Sequence, residues 1–357
     1  MRLLKRLLFL AFIAGLALSG WLARFALTPL PLSAASLEFD IRAGSGLRAA
    51  ARTMADAGLG FFPWQFVLLG RLAGRETDIK AGSYEVGSGI TPWLLLRKLT
   101  RGDVTQTDIV FVEGVTFRQM RAALDAHPEV RHDTAGLADA EILARLPASE
   151  PHPEGLFFPD TYVFSKQSSD LAILRRAYQT MKRQLSMEWE SRDKSTPFEN
   201  ISQALTLASI VEKETGLAAD RPQVAAVFVN RLRRGMLLQT DPTVIYGMGE
   251  VFDGNLRKRD LTTDTPYNTY TRPGLPPTPI AMPGLDSIRA VLHPPASDKL
   301  YFVARGDGSS VFSRTLEEHN RAVNQYQRGG KRSKVEFQSR LTPALAGVMP
   351  ELKSNAR

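Results

Sequence analysis

No cysteine occurs among the 357 residues. That excludes structural disulfides, thiolate zinc, iron–sulfur ligation and a cysteine nucleophile together. Histidine is almost as scarce. The five, His127, His132, His152, His293 and His319, are scattered and form no HExxH pair, so no metal centre is expected. Neither GxxxxGK[ST] nor GxGxxG is present for a nucleotide, and there is no GxSxG elbow for a serine nucleophile. The residue types argue for chemistry that needs no cofactor. The body of the chain also lacks net charge. The formal +8 comes from 45 Lys+Arg against 37 Asp+Glu, but residues 1–24 hold +4 and residues 328–357 hold +5, leaving −1 for 25–327. A nucleic-acid groove would carry its basic charge in the body, so nucleic acid is not an expected partner. A hydrophobic content of 43% excludes wholesale disorder.

The run Leu7–Ala23 (LLFLAFIAGLALSGWLA) has 17 residues without a charge. As a helix it is about 26 Å long, at the short end of a membrane span. Arg2, Lys5 and Arg6 precede it, which by the positive-inside rule keeps the N-terminus cytoplasmic and exports the rest. A cleavable signal is the rival, with Ala17, Ser19 and Gly20 as a small-residue site. The apolar run continues beyond that site to Leu22 and Ala23, which favours an anchor. Residues 24–36 then read as a short linker.

Beyond it, Leu37–Ile41 alternates as a strand and Leu47–Ala57 repeats apolar residues at helical spacing before Gly58. Helices over 62–72 and from Thr91, with strands over 80–86 and 107–112, suggest small β/α units. The stretch 125–150 reads as polar and helical. From Glu154 the segment EGLFFPDTYVF packs aromatics, Pro159 and Tyr162 together, with Asp160 as a turn or cap residue. Leu171–Arg192 is an amphipathic packing helix.

Asn200–Gly216 (NISQALTLASIVEKETG) has an N-cap at Asn200 and a candidate C′ glycine at Gly216. Its apolar residues cover most of the circumference, which describes a central, buried helix. Glu212 and Glu214 stand in its last turn, about 200° apart, so they cannot share one cleft. Each ends an apolar stripe near the negative end of the helix dipole, so each is disfavoured as an anion and suited to donate a proton. The other reading is a glutamate paired with Lys213, Arg231 or Arg233. Periodicity does not choose between the two glutamates. Asp220 is expected to cap the next helix, which Gly235 ends. A loop-rich remainder follows, 238–249, 265–284 and 293–313. Within the last, Lys299–Arg305 reads as a strand and Gly306-Asp307-Gly308 as a hairpin turn into Ser310–Ser313. Gln, Asn, Thr, Asp and Tyr between the prolines of 265–284 suit hydroxyl-rich sugars.

At ASIVEKET (208–215), NRLRRGMLLQTDPTVIYGMG (230–249), YNTYTRPGLPP (267–277) and EGLFFPDTYVF (154–164) the chain resembles the endolytic murein transglycosylase, or YceG-like, family. The resemblance runs from the N-terminal span to about residue 327. It implies an α+β fold: a single transmembrane helix (7–23) after a basic cytoplasmic end (1–6), a linker (24–36), a LysM-like β/α region (37–125) and a mixed α/β catalytic domain (126–327). A basic tail (328–357) closes the chain. The resemblance also implies a lytic transglycosylase of the bacterial inner membrane, with its catalytic domain in the periplasm. Such an enzyme cleaves the MurNAc-β-1,4-GlcNAc bond within glycan strands, leaves 1,6-anhydroMurNAc ends and terminates nascent strands. The family's catalytic acid falls on Glu214. Gln239, Thr240, Asp241, Tyr246, Asn268, Thr269, Tyr270, Asp160 and Tyr162 are the residues expected to line the glycan cleft. Peptidoglycan strands and the inner membrane are the implied partners, with peptidoglycan synthases as candidate protein partners. The reading from another class is a non-catalytic, membrane-anchored peptidoglycan-binding scaffold.

Overall fold

The chain is described by a computed structural model over residues 2–42 and 44–328. The basic tail beyond 328 lies outside the described residues. Two compact units alternate along the sequence. The first comprises Met1–Val110, Ala123–Gly136 and Thr161–Ile173; the second comprises Phe111–Ala122, Leu137–Asp160 and Leu174–Arg357.

The first unit opens with α1 (Arg2–Leu27), whose stretch Leu8–Leu27 is long and apolar enough to cross a membrane. The segment after α1 is not the free linker expected from its composition. The Leu30 amide donates to the Ile90 carbonyl at 2.8 Å and the Gly60 amide donates to the Pro31 carbonyl at 2.9 Å. Leu30 is buried in the core of the unit, and Leu32 packs against that core. Then come β1 (Ser36–Ile41), α2 (Leu47–Asp56), α3 (Pro63–Leu72) and β2 (Gly82–Gly87). β1 and β2 pair antiparallel from Ser36↔Gly87 to Ile41↔Gly82. The alternation of LEFDI turns Phe39 and Ile41 inward, into the core that holds Leu47, Ala50, Ala51 and Met54 of α2. α4 (Pro92–Arg101) starts where the Thr91 hydroxyl accepts from the Leu94 amide at 3.2 Å and adds Leu95, Leu96 and Leu99 to the same core.

β3 (Gln106–Val110) leads to α5 (Phe117–Ala126) and the two-residue β4 (Val130–Arg131). The region expected to be helical over 125–150 holds, after α5, only α6 (Asp139–Ala144). Pro128 removes a backbone donor and Gly136 takes a left-handed φ of 74°, and both interrupt a helix. β5 (Thr161–Ser165) pairs antiparallel with β3, and β6 (Ser168–Ser169) pairs parallel with β4.

The second unit is mostly helical: α7 (Asp170–Ser191, from Leu174 onward), α8 (Ile201–Glu214), α9 (Arg221–Arg233), α10 (Asp241–Met248), α11 (Lys258–Thr262) and α12 (Leu285–Leu292). The hairpin β7 (Tyr301–Ala304) and β8 (Ser310–Ser313) and then α13 (Leu316–Val323) complete it. α8 is the centre of this unit. It is buried without a break from Ala204 to Val211 and packs against α9, α10 and α12. Its Leu207, Ile210 and Val211 are fully buried, each contributing roughly 1.5–3 kcal/mol of transfer free energy. Its polar residues Thr206 and Ser209 are buried with the apolar ones. Ser209 donates to the Thr206 carbonyl at 2.7 Å and accepts from the Ile280 amide at 3.0 Å, tying the proline-rich loop to the helix.

The ends of α8 are unlike each other. Asn200 caps the start, its side-chain oxygen accepting from the Gln203 amide at 3.0 Å. The far end closes on Thr215 in extended conformation, not on a left-handed Gly216, so the chain leaves the helix abruptly after Glu214. Asp220 also departs from its expected capping role. Its carboxylate accepts from the Ser310 amide at 2.6 Å and holds the β7–β8 hairpin. Gly235 does end α9, with φ of 64°.

Candidate active site

The two glutamates at the end of α8 have different surroundings. Glu212 Oε2 accepts from the Gly284 amide at 2.9 Å and from the Ser287 hydroxyl at 2.7 Å, and Arg221 stands 3.8 Å from its other oxygen. Those partners come from α9 and the start of α12. Glu212 is a brace between helices.

Glu214 has one hydrogen-bond partner among the described residues: the Thr240 hydroxyl donates to its Oε2 at 2.7 Å. The residue as a whole is half-buried. Burial raises its pKa to about 7, and the charge of Asp241 pushes the same way. Thr240 and the Arg231 guanidinium pull it down, and burial prevails. At neutral pH this carboxyl is divided between acid and base.

Thr240 is itself held. Its amide donates to the Thr269 hydroxyl at 3.1 Å, and Thr243 bridges, donating to the Thr240 carbonyl at 2.8 Å and lying 2.9 Å from Thr269 Oγ1. Gln239 precedes it with φ of 51°, its amide donating to the Thr269 carbonyl at 3.1 Å. Arg231 is buried on α9. It donates to the carbonyls of Leu300 and Leu238 at 2.7 Å each, and faces the Tyr301 ring at 5.2 Å. Burial lowers its pKa.

The residues expected around this carboxyl divide into two groups. Gln239 and Asp241 are exposed and Tyr270 is half-buried. The Tyr270 hydroxyl donates to Asp241 at 2.5 Å, and burial together with that anion raises the phenol's pKa. Asn268 and Thr269, by contrast, are 0% and 2% exposed. The Asn268 amide nitrogen meets the carbonyls of Asp260, Leu261 and Thr263 at 3.2, 3.1 and 2.7 Å, and its oxygen accepts from the Tyr270 amide at 2.9 Å. These two side chains shape the loop from within. Asp160 is exposed at the end of its segment, and Tyr162 lies on β5 of the first unit, 4% exposed.

Tyr246 leads to a residue that sequence reasoning passed over. Its hydroxyl donates to Glu154 Oε2 at 3.0 Å, and the Phe117 amide donates to Oε1 at 2.9 Å. Glu154 is 4% exposed, and burial raises its pKa to about 7 against both hydrogen bonds. The Tyr246 ring meets the Tyr267 ring edge-on at 5.0 Å, and the Tyr267 hydroxyl lies 2.8 Å from Thr278 Oγ1. Lys213, between the two glutamates of α8, donates to the Gly114 carbonyl at 3.1 Å. Burial lowers its pKa, and the charges of Glu212 and Glu154 oppose that. The signal for Glu154 was present in the sequence: a lone acid directly before the apolar run GLFF. Gly155 beside it has φ of 81°, and a Cβ there would stand 2.6 Å from Pro279, so only glycine lets the segment approach the proline loop.

No group of His, Asp and Glu able to hold a metal ion occurs among the described residues.

The profile of the YceG-like family matches residues 39–325. The chain belongs to the YceG-like family. Among curated proteins, this YceG-like chain is 36% identical over 267 residues to the endolytic murein transglycosylase of Bacillus subtilis (strain 168), covering 70% of this chain and 74% of that protein. It is 28% identical over 356 residues to the endolytic murein transglycosylase of Streptococcus pneumoniae (strain ATCC BAA-255 / R6), covering 89% of this chain and 64% of that one. Among solved structures it is similar to a yceG-like protein from Listeria monocytogenes, with a TM-score of 0.50 and 30% identity over 80% of this chain and 98% of that chain.

Proposed function

We propose that this chain is an endolytic murein transglycosylase that cleaves peptidoglycan glycan strands, with Glu214 as the single catalytic acid and base. The observation that carries the reading is the Glu214 carboxyl, held near pKa 7 by burial at the end of a rigid central helix and oriented by one hydroxyl. A group serving in turn as acid and base is most effective when its pKa lies close to the working pH.

The chemistry is a transfer without water. Protonated Glu214 gives its proton to the glycosidic oxygen as the bond from the MurNAc anomeric carbon to GlcNAc breaks. The resulting carboxylate then takes the proton of the MurNAc C6 hydroxyl, whose oxygen bonds to the anomeric carbon. The product is a 1,6-anhydroMurNAc end, and Glu214 regains its proton. One carboxyl suffices, whereas ordinary glycoside hydrolysis uses two at a set separation. Asp241, Gln239 and Tyr270 are the exposed or half-exposed groups to receive sugar hydroxyls, and Thr240 orients the acid. Cleavage within nascent strands would end their elongation.

The apolar stretch of α1, preceded by Lys5 and Arg6, supports a single-pass inner-membrane anchor with the two units in the periplasm. The strand–helix–helix–strand order of the first unit supports a LysM-like reading of that region, and peptidoglycan synthases are natural neighbours for an anchored strand-cutting enzyme.

The test is mass spectrometry of intact glycan strands after incubation with the purified protein. Anhydro ends are expected, and reducing ends would identify a hydrolase. Glu214→Gln should lose activity by roughly 10²–10⁴-fold while Glu212→Gln loses stability first. Wall binding with no bond cleavage would favour the scaffold reading instead.

A further inference from the structure

The last turns of α1 have two claims on them. A hydrocarbon layer of about 30 Å needs about 20 helical residues. Counted from Arg6, the last basic residue before the apolar run, those residues end near Ala26. The stretch that is apolar enough to span is Leu8–Leu27. Yet Ala26 is 8% exposed within the core of the first unit, and Leu22 and Phe25 pack against the same core. Trp21 stacks on Phe25 at 6.1 Å and on Trp64 of α3 at 5.5 Å, with the two indole planes 10° apart. No free spacer separates helix from unit, since Leu30 and Pro31 are bonded into it directly. If the helix is embedded to its full apolar length, the surface it packs on is carried into the bilayer edge with it.

That surface is composed for such a place. Phe62, at the start of α3, is 68% exposed, and Trp64, the residue stacked on Trp21, is 58% exposed. Large aromatics left in water at the start of one helix need a partner. Trp and neighbouring aromatics are most stable at the headgroup level, where the ring is half apolar and the indole N–H is wet. Arg24, exposed on the same helix, can reach the same phosphates.

We propose that Phe62 and Trp64, together with Trp21, form a lipid-docking surface that seats the first unit in the headgroup region of the outer leaflet of the inner membrane. The unit is then a membrane-resting body and not one held away on a tether. The proposal rests on the reading that α1 spans the membrane, and the experiment separates the two.

Because the chain has no cysteine, single spin labels need no background removal. Full-length protein would be reconstituted in phosphatidylglycerol–phosphatidylcholine vesicles with one label at Ile13→Cys, Phe62→Cys or Glu317→Cys. Collisions with oxygen, which favours lipid, and with a nickel chelate, which favours water, would be measured. All three side chains are exposed in the fold, so the labels do not disturb a core. Position 13 should show high oxygen and no nickel, position 317 the reverse. Position 62 should lie between them, with nickel access severalfold below that of 317. Immersion at 13 with position 62 indistinguishable from 317 overturns docking and leaves the span intact. Low collision with both agents at 62 means a second copy covers it, and also overturns the proposal. A position 13 that resembles 317 removes the span and the docking together.

Discussion

Replacing Thr240 with valine should move the alkaline limb of the pH–activity profile upward. The hydroxyl donates to Glu214 Oε2 at 2.7 Å and stabilises the ionised carboxylate. A hydrogen bond to a charged group is worth roughly 1.5–3 kcal/mol, and one pKa unit corresponds to about 1.36 kcal/mol. Losing the donor should therefore raise the Glu214 pKa by about one to two units from its value of about 7. Valine matches threonine in shape, and Thr240 is buried, so the pocket should hold without the hydroxyl. The assay is kcat/KM for release of anhydro ends from glycan strands across roughly pH 5 to 10, which reports the free enzyme's essential groups. Activity on the acid side should survive, because the proton donor is still present. The limb should then persist about one to two pH units higher than in the unaltered protein. A limb that stays in place, or moves down, refutes the assignment of that titration to Glu214 under the control of Thr240.

The same geometry gives three further outcomes. The folded-state pKa of Glu214 is raised from 4.5 to about 7, so its stabilising effect is complete below pH 4.5 and is lost as pH rises through 7. Glu214→Gln removes that dependence, and its stability advantage over the unaltered protein should grow by about 2–3 kcal/mol between pH 5 and 8 in urea unfolding. Tyr246→Phe deletes a donor to the Glu154 carboxylate. It should cost about 1–2 kcal/mol and cost more at pH 8 than at pH 5, read from thermal unfolding. Asn268→Ala removes the group that meets three carbonyls and one amide, and should destabilise by roughly 3 kcal/mol or more. Asn268→Asp should do no better, since it turns a negative oxygen toward those carbonyls; equilibrium unfolding compares the two.

How far the sequence could be read depended on where each residue's partners lie. α8 was legible because its signals are local: an Asn200 cap and apolar residues nearly all round. Its far end was not, because Gly284, Ser287 and Thr240 arrive from 26 to 75 positions away. Periodicity places both glutamates at the end of a buried helix and does not choose between them; the family resemblance points to Glu214 as the proposed acid. Asn268 and Thr269 are cleft residues by family resemblance, yet both are buried. Residues 24–36 looked like a spacer by composition, because the Leu30 amide's partner, Ile90, is 60 positions on. The short β3–β5 and β4–β6 pairs are likewise non-local, and no window of sequence contains both members.

Gln239 has a consequence of another kind. Its φ of 51° is one that a side chain bearing Cβ adopts at a cost of about 1–2 kcal/mol, and glycine would adopt it freely. The backbone and the exposed amide therefore place opposite demands on one position. That makes it a clean point of dissection for protein engineering. A glycine there relaxes the main chain and leaves the Thr269 bond in place, so whatever binding is lost belongs to the side chain alone.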